Sequence, residues 1–325
     1  MEFGLQMMNH EPARLRDIAQ VAEGLGFAFL CVPDHFLYEG PEHQSDPRHP
    51  GFDPMLAAAV LAGATTRARI GHLVLCNLFR HPMLTARSLT GLDHLSGGRL
   101  VAGLGGGWTE REFTMTGIPF PDVTTRLRML DEALRCIRGL WTEEQTTFQG
   151  EFYRLDGAVH WPKPVQTPHP PILIGGGGKG LLRVAARHAD IVNVIVETGR
   201  TGYIALGEVA KLTDERFQSR VKFLRDCARE EGRDPGKIQI SNVAFTTMLT
   251  KSPEETQEKA GMFAPMFGSV EGALRSPNFL IGTPDEMITE IRRRKQTWDI
   301  DQTIISFVNE KALRAFGEQV MPHVK

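Results

Sequence analysis

Short apolar runs recur along this chain, and each is followed by a stretch with helical periodicity. The runs fall at residues 3–8, 29–32, 70–75, 99–104, 172–174, 191–195, 238–248 and 302–308. The helical stretches fall at 11–25, 53–66, 83–95, 124–141, 181–188, 214–231, 284–297 and 310–320. In the first of these, Leu15, Ile18, Ala19, Ala22 and Leu25 form one stripe, and Gly26 supplies a C-cap. Strands this short, and apolar on both faces, belong to a parallel sheet covered by helices. Eight such units predict an α/β fold of the (β/α)8 TIM-barrel type in place of an open doubly wound sheet.

No low-complexity linker divides the 325 residues, so one domain spanning 1–325 is expected. Three connections are too long to be simple turns: 36–52, 141–171 and 250–282. They are expected as insertion segments at the C-terminal face of the barrel. The second contains TTFQGEFYRL (146–155), the pattern of a β-hairpin turning at Gln149-Gly150. The third contains Met262, Phe263, Met266 and Phe267, which suit either ordinary packing or an adaptable apolar cap.

Composition narrows the function classes. With 37 Lys and Arg against 39 Asp and Glu, the formal net charge is −2. That leaves no electrostatic case for nucleic acid or an anionic membrane as partner. The opening residues lack the order of a signal peptide, and no apolar stretch reaches spanning length. Cys31, Cys76, Cys136 and Cys227 include no CxxC pair and fit reduced thiols, so a cytoplasmic location is expected. His81, His94, His160 and His169 lie at no metal-ligand spacing, and no metal is expected. Residues 55–64 (MLAAAVLAGA) are apolar nearly all round, whereas an outer barrel helix needs one wet face. A second copy of the chain in a homodimer is the expected cover, and the 141–171 insertion is the alternative.

The C-terminal ends of the predicted strands collect the chemistry. They are followed by Asn9 and His10; Asp34, His35 and Phe36; Cys76 and Asn77; Gly105, Gly106, Gly107, Trp108 and Thr109; Gly175, Gly176, Gly177, Gly178 and Lys179; Asn193 to Glu197; Thr246 and Thr247; Ser306 and Asn309. Glycine just past a buried strand lets the backbone turn sharply and bring its N–H groups to a ligand. Two such clusters on one face point to a single extended, phosphate-bearing cofactor; the plainer reading is two tight strand-to-helix turns. His35 can give or take a proton near neutral pH, and Asp34 is available to a backbone group or a cofactor hydroxyl. Trp108 suits either a ring wall or helix-start packing. Lys179 and Arg183 are candidates for neutralising a phosphate. Asp131 and Glu132 read as solvated charge on an outer helix face. Gly175-x-Gly177-x-x-Gly180 satisfies the dinucleotide fingerprint only trivially, and there is no Walker, HExxH or GxSxG pattern.

With these residues assembled, the chain resembles the luciferase-like family of flavin and deazaflavin oxidoreductases, and within it the coenzyme F420 branch. The matching motifs are Asp34-His35-Phe36, Phe79-Arg80-His81-Pro82, SGGRLVAGLGGGWTEREF (96–113), GIPFP (117–121), PKPVQTPHPPILIGGGG (162–178), HADIVN (188–193) and IGTPDEM (281–287). The resemblance implies a (β/α)8 barrel with an isoalloxazine-type ring in its mouth, and a non-proline cis peptide at Leu73–Val74 behind that ring. It implies the phosphate on the backbone of Gly176–Gly178, and the ring and ribityl chain along Gly105–Thr109 beside Leu73, Val74 and Cys76. Asp34 and His35 belong to the same cofactor set. His35 matches the acid/base histidine of deazaflavin-dependent dehydrogenases. Trp108 stands where those enzymes often carry a carboxylate, which points away from sugar phosphates and toward a more apolar substrate met by Phe36, Trp108 and Asn193. Thr109 stands where many relatives carry Asn. The implied activity is hydride transfer between the deazaflavin C5 and a small organic substrate. An FMN-dependent monooxygenase and a non-catalytic ligand-binding barrel are the alternatives.

Overall fold

A computed structural model describes residues 1–7, 12–37, 52–197, 206–307 and 309–324. The strands of its main sheet are β1 (Glu2–Gln6), β2 (Phe29–Val32), β3 (Arg69–His72), β4 (Leu100–Gly105), β5 (Ile172–Gly175), β6 (Ile191–Asn193), β7 (Gln239–Ala244) and β8 (Gln302–Ile305). Each pairs in parallel with its sequence neighbours, and β8 pairs with β1, so the sheet closes. The helices that follow them are α1 (Pro12–Leu25), α2 (Pro54–Ala64), α3 (Pro82–Ser96), α4 (Val123–Thr142), α5 (Lys179–His188), α6 (Asp214–Glu230), α7 (Pro284–Trp298) and α8 (Glu310–Gln319). This is the (β/α)8 barrel expected from the sequence.

The alternation of strand side chains creates two cores. Phe29, Cys31, Val101, Leu173, Ile191, Val243 and Ile304, all from barrel strands, pack with Leu73, Val74 and Ile195 as an inner core. The opposite strand faces join the apolar stripes of the helices in a larger outer core. Glycine is required where strands crowd at the inner top: a Cβ on Gly103 would lie 1.8 Å from the His72 carbonyl oxygen.

The structure redraws several sequence boundaries. The run 70–75 is broken by a cis peptide at Leu73–Val74, after which Leu75–Cys76 pairs with the end of β4. The run 238–248 is two strands: β7, then Thr246–Leu249, which leaves the barrel to pair with Phe279–Gly282. Nothing in an unbroken apolar run marks such a change of partner. The 250–282 segment therefore contains a strand as well as the helices Pro253–Gly261, Ala264–Phe267 and Val270–Arg275. Phe263 and Phe267 pack on Phe279 at ring separations of 4.6 and 5.0 Å, which is structural packing. Met262, 68% exposed, remains on the surface.

In the 141–171 segment, strands Thr146–Gln149 and Arg154–Ala158 form the expected hairpin, three residues longer than expected at its C-terminal end. Its turn is held by Glu132, which accepts the backbone N–H groups of Glu151, Phe152 and Tyr153. Asp131 accepts from Arg187 and His188. Both carboxylates thus hold elements together, and the reading of them as solvated charge is corrected. Of the 36–52 connection only Phe36, Leu37 and Phe52 are described; Asn9 and His10 also lie outside the described residues. Among the described residues no helix is long and apolar enough to cross a membrane.

His72, at the end of β3, is fully buried. One ring nitrogen, Nε2, lies 3.2 Å from the Pro54 carbonyl, and Nδ1 has no partner. Burial pushes its pKa down to about 4. In the unfolded chain the same group binds its proton near pH 6.5. Stability from neutral His72 is therefore fully present above about pH 6.5 and is lost as pH falls toward 4, by about 2 kcal/mol between pH 7 and 5. Urea unfolding at those two pH values should show this loss, and His72→Gln should remove most of it. An unchanged pH slope in the variant would clear His72 of the effect.

Candidate active site

The C-terminal ends of the strands converge on one mouth, and the segment after the second strand contributes Asp34 and His35 there. Asp34 is buried, with Oδ2 2.9 Å from the Cys76 N–H and 2.6 Å from Arg80 Nη1; Oδ1 takes Arg80 Nη2 at 3.3 Å. Burial pushes the Asp34 carboxyl up, while Arg80 and the Cys76 amide pull it back; in return the carboxylate holds the Arg80 guanidinium protonated. Arg80 also reaches Asp53, which caps α2. Both Asp34 oxygens are thus engaged within the protein. Of the two roles left open by the sequence, the structure shows the backbone one, through the Cys76 N–H. Its effect is to tie the end of β2 to the segment just past the Leu73–Val74 bend.

His35 comes next, with its ring edge-on to Trp108 at 5.3 Å. Its Nδ1 lies 3.1 and 3.3 Å from the two oxygens of Glu112, a side chain only 2% exposed. Glu112 Oε1 also accepts the backbone N–H groups of Phe36 (2.6 Å) and Leu37 (3.1 Å). A carboxylate beside Nδ1 favours the tautomer protonated there, an assignment made from the hydrogen-bond pattern. Nε2 is then the unprotonated nitrogen of the neutral ring.

Glu112 is the site residue that the sequence did not reveal. It lies on the helix Glu110–Thr116, one turn past the glycines, among three other charged or polar residues of the string Thr109-Glu110-Arg111-Glu112. Only the helix register, which buries Glu112 and Phe113 and leaves Glu110 and Arg111 exposed, separates it from its neighbours. Phe113 continues a row of rings: Phe36 on Phe79 (4.9 Å), Phe79 on Phe113 (5.0 Å), Phe113 on Phe120 (4.5 Å). Phe36 is therefore placed at the exposed end of an aromatic wall. The Cys76 thiol, which burial pushes up to about 12, lies against Gly107, where φ is +72° and a Cβ would stand 2.8 Å from the sulfur.

The two glycine clusters meet around the Leu73–Val74 bend. A Cβ on Gly105 would lie 2.6 Å from Val74 Cγ2, and one on Gly175 would lie 3.1 Å from Val74 Cγ1. Gly106 is open to ordinary contact only, with Leu127 at 3.5 Å. In the second cluster, Gly176 has φ +153° and Gly177 packs so tightly that a Cβ would meet the Ile195 carbonyl oxygen at 1.9 Å; Gly178 faces open space. The Gly176 N–H donates to Asn193 O at 3.0 Å, so the phosphate cradle expected on Gly176–Gly178 is corrected at that position. The N–H groups of Gly177, Gly178 and the first turn of α5 have no intrahelical partner.

Two buried polar atoms at the mouth are unsatisfied within the protein: Thr109 Oγ1 and Asn193 Oδ1. The Asn193 amide nitrogen donates to Ser241 Oγ. A glycine-cleared surface, first-turn amides and two orphaned oxygens suit a planar heterocycle with a phosphate arm. A cleft of about 670 Å³ lies at the other end of α5, lined by Arg135, Arg138, Arg187 and Arg233 among others. Arg138 and Arg233 bond the backbone carbonyls of His188, Ala186 and Ala189, and Arg187 pairs with Asp131 and Glu231, so these three secure the end of α5. Among the described residues no group of His, Cys, Asp and Glu is arranged to hold a metal ion.

Comparison with known proteins gives this geometry its context. An F420-dependent glucose-6-phosphate dehydrogenase of Kineococcus radiotolerans is 29% identical over 87% of this chain and 79% of its own. The FMNH(2)-dependent dimethylsulfone monooxygenase of Pseudomonas putida is 30% identical over 95% of this chain and 87% of its own. An F420-dependent secondary alcohol dehydrogenase, solved with an F420–acetone adduct, superposes with a TM-score of 0.78 at 21% identity, covering 100% of this chain and 99% of that one. The sequence model of luciferase-like monooxygenases matches residues 1–301, and the chain belongs to that family.

Proposed function

We propose that the chain is a coenzyme F420-dependent oxidoreductase that moves hydride between the deazaflavin C5 and a small, apolar organic substrate. The observation that carries this reading is His35, held through Nδ1 by a buried carboxylate and set against Trp108 in the barrel mouth. Its support among relatives is the recurrence of F420-dependent dehydrogenases at 27–29% identity. The orphaned oxygens and the glycine surface fit the cofactor.

In this account the amides of Gly177, Gly178 and the first turn of α5 hold the phosphate. Leu73, Val74, Cys76, Gly105, Gly106, Gly107, Trp108 and Thr109 line the ring and its ribityl arm, with Thr109 Oγ1 and Asn193 Oδ1 as polar contacts. When bound, F420 supplies a two-electron hydride carrier that reacts poorly with dioxygen. His35 gives a proton from Nε2 to the reduced substrate, or takes it back in the oxidative direction. Glu112 fixes the tautomer and the ring plane. Trp108 and the Phe36–Phe79–Phe113 wall exclude water and favour apolar substrates.

A second reading is an FMN-dependent monooxygenase, supported by the 30% identity to the dimethylsulfone enzyme over nearly the whole chain. A ring, ribityl arm and phosphate are common to both cofactors. Fluorescence titration separates the two: F420 should bind at least tenfold more tightly than FMN, and the reverse order overturns the F420 reading. With F420 bound, His35→Ala should lower kcat by roughly 10²–10⁴ on any substrate found in a panel of ketones, alcohols and activated alkenes. Cofactor affinity should change little. Unchanged turnover would remove His35 from the chemistry.

We further propose that a second copy of the chain covers α2. Ala57, Ala58, Leu61 and Ala62 point into the core, and Leu56, 68% exposed, heads an outer face with Val60 and Gly63. The four cysteines, all buried and unbridged, suit a reducing cytoplasm. Sedimentation equilibrium should give a dimer that Leu56→Glu dissociates; a monomeric parent protein would contradict this.

A further inference from the structure

We propose that a cationic platform beside the second glycine loop binds the oligoglutamate tail of F420, which FMN, ending at its phosphate, has no group to match. The proposal rests on the F420 reading above.

The platform is built by two helices. Lys179 and Arg183 stand one turn apart at the start of α5, immediately after Gly178. Lys179 Nζ lies 5.3 Å and Arg183 Cζ 5.2 Å from the ring centre of Phe223 on α6. The same helix carries Arg216 and Arg220, two turns and one turn before Phe223 respectively, and both contact Glu197 Oε1. Glu197 directly follows the Ile195–Val196 backbone on which Gly177 packs. Four cations and one carboxylate thus adjoin the phosphate cradle in a chain whose formal net charge is −2.

Two features point to an anionic ligand. No carboxylate among the described residues forms an ion pair with Lys179 or Arg183. Like charges one helical turn apart repel, and sharing one aromatic ring does not relieve that. An anion between them does. In F420 the phosphate is esterified onward to a lactyl group and a chain of glutamates. A phosphate on the first-turn amides of α5 would send that chain past Lys179 and Arg183 toward Arg216. The apolar substrate side of the mouth, around Trp108 and Phe36, would stay clear of it.

The test compares three forms of the deazaflavin cofactor by fluorescence titration: phosphorylated without glutamate, with one glutamate, and with a long tail. The long-tailed form should bind about three- to tenfold more tightly than the glutamate-free form at low salt, and the gap should close near molar salt. Lys179→Gln/Arg183→Gln should abolish the gap, weakening the long-tailed form more than the glutamate-free form. Arg183→Gln alone should give an intermediate result. Equal affinity for all three forms, or a double variant that weakens all three alike, overturns the tail assignment while the F420 reading stands. Failure of every form to bind overturns both.

Discussion

A buried carboxylate must have its lone pairs filled, and Glu112 fills them with the Phe36 and Leu37 amides and the His35 ring. That single constraint sets the geometry of the mouth. The turn after β2 has no regular structure of its own, yet three consecutive residues of it bond to one side chain from the helix after β4. The loop carrying His35 and the loop carrying Trp108 are therefore positioned against each other. Asp34 adds a second tie, from the same turn to Cys76 and Arg80. Three successive strand ends are joined in this way by two carboxylates.

The glycines acquire distinct roles from that frame. Gly103 and Gly105 leave room for the His72 carbonyl and the Val74 side chain, so they shape the floor. Gly107 turns the chain over Cys76 into Trp108. Gly177 allows the second loop to lie on the strand-end backbone at Ile195, which turns the following amides and the start of α5 toward the mouth. Two stretches that look alike in composition therefore do different structural work, one shaping the floor of the mouth and one leading into the start of a helix.

The barrel was legible in the sequence because strand and helix periods differ, and eight alternations leave little choice of architecture. The face holding the site was legible for the same reason, since parallel strands put all their C-terminal ends together. Contacts between distant loops were not legible. Glu112 shares its segment with Glu110 and Arg111, and only tertiary burial distinguishes it. Gly176 looked like a phosphate donor until β6 claimed its N–H. The run 238–248 offered no sign of its division, because Phe245 is as apolar as its neighbours. The Leu73–Val74 bend came from family resemblance, not from any property of those two residues.

In the proposed complex the His35–Glu112 pair faces a deazaflavin ring whose phosphate rests on the start of α5. A crystal structure of the F420 complex tests it most directly. The phosphate is expected on the amides of Gly177, Gly178 and the first turn of α5, the ring against Val74, and His35 Nε2 beside the substrate side of C5. A ring bound away from Val74, or His35 turned off Glu112 and out of reach of C5, would contradict it.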